Sequence, residues 1–348
     1  MRTYADILHI YLSTYLNINY VLIIFNLEEQ KMDFGASAKN LTTPVKGAKI
    51  VPNMTVDELV REYGGCAFGA GRLAEAVDIY YDMLASENTT KFFGLAGAMT
   101  PAGMRTIIAD LIRDGYIDVL VTTGANMVHD TVEALGLHHY KGSDCVNDIQ
   151  LRHECIDRIY DVYLPDQHFT DLEEFLQSVY AGLPKENVSI RQVLTEIGKN
   201  LDDDSSILKT AAEMGVPVYC PAIQDSVIGL QGWLYKEGNP LHVDAFADMH
   251  EFIDICYEAE SAGAMLLGGG VPKNYILQSM LVTPRSFEYA IQLTMDRPET
   301  GGLSGATLDE ARSWGKVGED AKSVTVYADS TITLPLIVSA VRTRLSKR

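Results

Sequence analysis

The 348-residue sequence predicts a doubly wound α/β fold, a mostly parallel Rossmann-like sheet with helices on both faces. Three observations carry that expectation. At least six apolar runs read as strands, several of them continuous enough to be covered on both sides, as parallel strands are. Helical patterns separate the runs. Glycines, aspartates or short polar turns follow most of them, and ligands on such sheets bind outside the carboxyl ends of the strands.

The elements follow in order from Val56. Arg72–Leu84 reads as an amphipathic helix after Gly69 and Gly71. Lys91–Leu95 reads as a buried strand leading into Gly97, Ala98, Met99, Thr100 and Pro101. The helix Ala102–Arg113 begins just after that proline, where a missing N–H costs nothing. Ile117–Thr123 is an apolar run ending in Gly124. The middle, Cys145–Glu186, is rich in Asp, Tyr and Leu but carries little pattern. Asp202–Asp204 reads as a loop and the acidic N-terminus of the next helix. Val216–Cys220 is a strand followed by Asp225, and Ala264–Leu267 runs into Gly268, Gly269 and Gly270. Tyr289–Leu293 precedes Met295 and Asp296, and Val324–Ala328 precedes Asp329 and Ser330. On this reading every motif lies at the carboxyl end of a strand.

Residues 7–27 form the one strongly apolar run, interrupted by His9, Asn17 and Asn19. It reads as a chain-specific extension over residues 1–31, ahead of a single catalytic domain over 32–348. A helix packed on a neighbouring subunit and a membrane anchor are the other readings, and no membrane partner is expected. The net charge of −19 argues against nucleic acid as a partner and suits cationic ones. The five cysteines are odd in number and form no CxxC pair, so neither disulfides nor a metal cluster is expected, and a reducing cytoplasm is the simplest setting.

The chemistry concentrates in Gly301–Lys316, GGLSGATLDEARSWGK. Glycines let the backbone approach a ligand closely. Leu308–Ser313 makes a short helix, Gly315 breaks it, and Lys316 stands at its mouth beside Trp314. One reading is a surface lysine at a helix C-terminus. The other is a desolvated amine able to form an imine.

This segment resembles the active-site motif of the deoxyhypusine synthase family, and the resemblance extends from about Phe68 to Leu336. It implies a transferase that binds NAD at the strand ends and moves the 4-aminobutyl group of spermidine to a lysine of the translation initiation factor 5A precursor. It also implies a homotetramer with sites shared between subunits. Lys316 matches the lysine that carries the fragment as an imine, Trp314 the ring lining the polyamine slot, and Glu310 an acid that pairs with an ammonium. The positions matching the cofactor site are Gly97, Ala98, Met99, Thr100, Pro101, Thr122, Thr123, Gly124, Asp225, Gly268, Gly269, Gly270, Met295, Asp296, Asp329 and Ser330. From the residues alone, Gly268–Gly270 is either a tight turn or a phosphate cradle. Asp329 is either a ribose acceptor or a helix N-cap.

Several positions depart from the eukaryotic pattern. His129 replaces a glutamate, and Leu230 and Leu303 replace acidic residues. Lys273-Asn274 replaces a lysine–histidine pair, so the family's histidine base is absent, and Asn274 takes up no proton near neutrality. The combination has the look of the archaeal branch. His129, expected to titrate near neutrality, is the candidate for proton transfer, or else a structural residue. Aminobutyl transfer to a small amine, as in homospermidine formation, and a non-catalytic NAD-binding subunit are the alternatives. A plain nicotinamide dehydrogenase is a third.

Overall fold

The computed structural model describes residues 41–185 and 187–347, so the apolar run of residues 7–27 and the expected extension over 1–31 lie outside the described residues. One compact unit runs from Gly47 to Arg348. The strands are β1 (Thr89–Leu95), β2 (Val119–Thr122), β3 (Tyr140–Lys141), β4 (Ile156–Ile159), β5 (Val162–Pro165), β6 (Val188–Ser189), β7 (Val218–Tyr219), β8 (Val243–Asp244), β9 (Ser261–Leu267), β10 (Phe287–Thr294) and β11 (Val317–Tyr327). The helices are α1 (Val56–Tyr63), α2 (Phe68–Ala85), α3 (Arg105–Arg113), α4 (Gly124–Ala134), α5 (Asp148–His153), α6 (Gln167–Gly182) and α7 (Ile190–Lys199). They continue as α8 (Ile207–Met214), α9 (Val227–Gly238), α10 (Ala245–Glu258), α11 (Gly270–Ser279), α12 (Leu308–Ser313) and α13 (Ser330–Leu345).

The central sheet has six strands in the order β11-β10-β9-β1-β2-β7, and every neighbouring pair is parallel. Successive strand residues point to opposite faces, and both faces are covered. Phe93, Leu95, Leu120, Met265, Leu267, Ile291 and Leu293 enter one apolar core with α2, α3, α4 and α13. Phe92, Val119, Val121, Ala264, Leu266 and Ala290 enter a second with α10, α11 and α12. The doubly wound expectation holds for that reason: these runs are apolar throughout because neither face meets water.

The chain leaves β1 for β2 and β7 on one side, then returns through β9 to β10 and β11 on the other. Its direction of winding therefore reverses between β1 and β9. Such a reversal leaves a crevice at the carboxyl ends of the two strands, because the loops diverge to opposite sides.

Most element boundaries move by a few residues. The helix expected from Ala102 is broken by a kink at Gly103, and α3 proper starts at Arg105. The segment Cys145–Glu186 holds more structure than its pattern suggests. The short strands β4 and β5 pair antiparallel with each other and β5 with β3, while α6 buries Leu172, Leu176 and Val179. Half-exposed strands of four residues leave little periodicity to read.

Candidate active site

Two clefts share a wall. The first opens at the β1/β9 crevice with a volume of about 300 Å³. It is lined by Gly97 after β1, Thr122 at the end of β2 with Thr123 and Gly124 after it, Asp225 after β7, Gly268–Gly270 after β9, and Asp296 after β10. Five strand ends thus contribute, as the spacing of the motifs predicts. A Cβ on Gly269 would lie 2.2 Å from the Cα of Ser304, so only glycine lets this turn touch the 301–306 loop. Backbone amides and two exposed carboxylates facing one groove suit a dinucleotide, with amides toward phosphate and carboxylates toward ribose hydroxyls.

Other expected cofactor positions sit differently. Met99, Thr100 and Pro101 are buried behind the turn, and Thr100 Oγ1 donates to the carbonyl of Asn126 at 3.2 Å. Asp329 takes the other of its two readings, since its carboxylate accepts from the Thr331 amide at 2.7 Å and caps α13. Asp329, Ser330, Ala98 and Met295 do not line the crevice, and Met295 is 70% exposed.

The second cleft lies between α11 and α12. Lys273, Asn274, Leu277, Leu303, Glu310, Trp314 and Lys316 are among the residues that line it. Lys316 is placed by the end of α12. Gly315 adopts φ +70°, its amide bonds the Arg312 carbonyl at 2.9 Å, and the Lys316 amide bonds the Ala311 carbonyl at 3.1 Å. This is a Schellman ending, which any residue with a Cβ at position 315 would strain. The Lys316 carbonyl then accepts from the Phe287 amide, so the next residue starts β11. The lysine therefore precedes a strand, and the expectation that every motif follows one is corrected here. The cleft reaches it because α11 and α12 run back along the sheet from their loops.

The electrostatics also correct an expectation. Lys316 is half-buried, its Nζ lies 5.5 Å from the centre of the Trp314 ring, and Trp314 is 62% exposed. The strongly desolvated lysine is Lys273, only 5% exposed. Burial lowers its pKa to about 8; Glu310 opposes the shift and Lys316 adds to it. Lys273 Nζ donates to Gln292 Oε1 at 3.1 Å and to the carbonyls of Leu303 and Ala306. Gln292, fully buried on β10, donates in turn to the carbonyls of Gly268 at 3.1 Å and Ser304 at 2.9 Å. This network ties the glycine turn of the crevice to the loop roofing the lysine cleft. Sequence reading missed Gln292, although a lone polar residue inside YAIQL was the available signal. It missed Arg312 as well, whose guanidinium holds the carbonyls of Gly318 and Ala321 and so fixes the chain after Lys316.

His129 lines neither cleft. It sits on α4 with Nδ1 2.8 Å from His139 Nε2. Burial first, and then the second ring, lower its pKa to about 4, which corrects the expectation of titration near neutrality. Leu230 stands on the outer surface of α9, and Leu303 lines the lysine cleft. Asn274 donates to Gln278 Oε1 at 2.9 Å, along α11. Among the described residues no group of three or more His, Cys, Asp or Glu side chains has metal-binding geometry.

Comparison with known proteins bears on this arrangement. A family model described as deoxyhypusine synthase matches residues 58–341. A Methanosarcina mazei protein named probable deoxyhypusine synthase 1 is 94% identical over 317 residues, 91% of this chain and 100% of its own length. An Archaeoglobus fulgidus relative with the same name is 46% identical over 84% of this chain and 96% of its own. A crystal structure from Entamoeba histolytica, described as a deoxyhypusine synthase, has the same fold at 18% identity. It gives a TM-score of 0.60 and covers 86% of this chain and 97% of its own.

Proposed function

Because this chain belongs to the deoxyhypusine synthase family, whose members are transferases, we propose that it moves the 4-aminobutyl group of spermidine to a lysine of the translation initiation factor 5A precursor, with NAD as cofactor. One observation carries the reading. Gly270 and Pro272 face the crevice, Lys273 and Asn274 face the lysine cleft, and the 303–306 loop lines both, so a dinucleotide and a bound polyamine would meet across one turn of chain.

The crevice fits NAD. The amides after β1, β2 and β9 would hold the pyrophosphate, and Asp225 and Asp296 would accept from ribose hydroxyls. The bound cofactor supplies the two-electron oxidation of spermidine and the final reduction. Glu310 pairs with a substrate ammonium, and the indole of Trp314 offers a face to another. Lys316, as the free amine, attacks the oxidised carbon. Its nitrogen gains the C=N bond, and the bond to the diaminopropane nitrogen breaks, that fragment leaving as the free amine. The acceptor lysine then displaces Lys316 by the same exchange in reverse. Before hydride can leave, the secondary ammonium of spermidine must shed a proton, and His129, neutral at pH 7, takes it up.

His129 lines neither cleft of its own chain, so in this reading it serves a site completed by a second copy, in a homotetramer. Exposed apolar side chains on α9 support such assembly, with Leu230 51%, Trp233 55% and Leu234 42% exposed. The catalytic domain on this reading is residues 32–348, acting in the cytoplasm. Among the described residues no helix is long and apolar enough to cross a membrane.

Borohydride treatment after incubation with NAD and labelled spermidine tests the reading. Label should appear on the peptide carrying Lys316 and be absent from Lys316→Arg. A wild-type chain that traps none would refute it. Adding the factor 5A precursor or putrescine shows which acceptor discharges the adduct.

A further inference from the structure

A cluster of histidines surrounds one glutamate at the end of α4. Glu133 lies four residues after His129, so the two share a face of the helix. The chain turns at Gly136 and brings His138 and His139 back against that face. Glu133 Oε1 accepts from His139 Nδ1 at 2.6 Å and from the His139 amide at 2.8 Å. Its Oε2 lies 3.3 Å from His138 Nδ1. His139 Nε2 lies 2.8 Å from His129 Nδ1, with the two rings edge to face at 66°. The His139 side chain, which links Glu133 to His129, is only 5% exposed, while His138 at the far side of Glu133 is 65% exposed.

The order of donors follows from chemistry. Glu133 is ionised at neutral pH, its pKa lowered to about 2; burial opposes this, and the bonds from His139 and His138 outweigh it. An ionised carboxylate only accepts, so His139 Nδ1 carries a hydrogen. A neutral His139 then has a bare Nε2, and His129 Nδ1 must be the donor to it. His129 is left with a hydrogen on Nδ1 and a lone pair on Nε2. When a proton joins His129 at Nε2, the hydrogen on Nδ1 can pass to His139 Nε2. One N–H bond forms at each ring, one breaks between them, and the positive charge comes to rest beside Glu133.

We propose that Glu133 and His139 are positioning residues that hold His129 with Nε2 as the proton acceptor and store the accepted proton as a His139 imidazolium against the Glu133 carboxylate. This rests on the reading of His129 given above. The other titratable groups around the relay are His138 beside Glu133, and His168 and Asp171 on α6. His168 Nδ1 has no hydrogen-bond partner among the described residues, and burial lowers its pKa. Asp130, next to His129 in the chain, faces Arg105 instead.

Two measurements test the relay on the full chain. In 15N-histidine-labelled protein, His129 should show the Nδ1–H tautomer, and His139→Phe should return it to the commoner Nε2–H form. In steady-state assays, Glu133→Gln and His139→Asn should lower kcat tenfold or more and move the acid limb of its pH profile, with the spermidine KM changed less than twofold. An Nε2–H tautomer in the wild type would overturn the relay. So would a wild-type pH profile in a His139→Asn variant that still traps the aminobutyl adduct on Lys316. If the wild type traps no adduct, the reading beneath the relay falls and its catalytic role with it; the tautomer result still identifies which of the two failed.

Discussion

Lys273 shows at the scale of one residue how burial sets chemistry. Among the described residues its ammonium meets three oxygens, none from a carboxylate, and burial brings its pKa to about 8. The unfolded chain would hold that proton to about pH 10.4. The folded state therefore binds fewer protons across this window, and stability should rise with pH from about 8 to about 10.5. Below that window the cost of the buried charge is present in full. The rise amounts to roughly 3 kcal/mol, at 1.36 kcal/mol per pKa unit. Lys273→Met should remove it, as urea unfolding of wild type and variant at neutral and alkaline pH would show. The same variant leaves Gln292 Oε1 and the carbonyls of Leu303 and Ala306 without their donor, at about 1–3 kcal/mol for each group left buried. The loop roofing the cleft should loosen and the spermidine KM rise. Of this network the sequence displayed Lys273 through its motif but not Gln292. Nothing in a chain shows which carbonyls a lysine will meet 30 residues later.

Helix α4 is the element on which most of these features depend. Its first residue lines the crevice, His129 lies midway, and Glu133 is in its last turn. Asp130 anchors it. That carboxylate, fully buried, accepts from Arg105 Nε at 2.6 Å, from Ser206 Oγ at 2.8 Å, and from the amides of Ile207 and Leu208 at 3.0 and 2.9 Å. It therefore locks α3 and the N-terminus of α8 to α4. Asp130→Ala would leave the buried guanidinium half-compensated, a loss of roughly 3–5 kcal/mol. Asp203, which bonds Arg105 Nη1 at 2.7 Å, keeps the cost near the lower end. The thermal midpoint measures this, and the dinucleotide affinity should fall with it as α4 shifts. TGANMVHD made His129 visible and hid Asp130. Which of two adjacent polar residues turns inward depends on the rotation of the helix against its neighbours.

At the scale of the whole molecule, the net charge of −19 favours approach by polycations and basic protein segments through long-range attraction. Leu230, Trp233 and Leu234 stand together on the outside of α9, and Leu230 is one of the positions that depart from the eukaryotic pattern. If each site joins His129 of one copy to Lys316 of another, subunits carrying His129→Ala should complement subunits carrying Lys316→Ala. Co-expression of the two weak or inactive variants should restore up to about a quarter of the sites in randomly mixed dimers with two-fold symmetry. No recovery in verified mixed oligomers would place both residues in separate roles. Sequence periodicity gave no hint of this geometry, since a shared site is a property of surfaces brought together.

The six strands of the central sheet, their double covering and several of the turns that line the crevice could be read from the chain, because apolar periodicity and glycine conformations act over a few residues. The tertiary structure decided which lysine is dry, which aspartate caps a helix and which carboxylates line the crevice. It also paired His129 with His139. Those outcomes depend on distances between elements far apart in sequence, and on how much water their packing leaves. No local pattern encodes either.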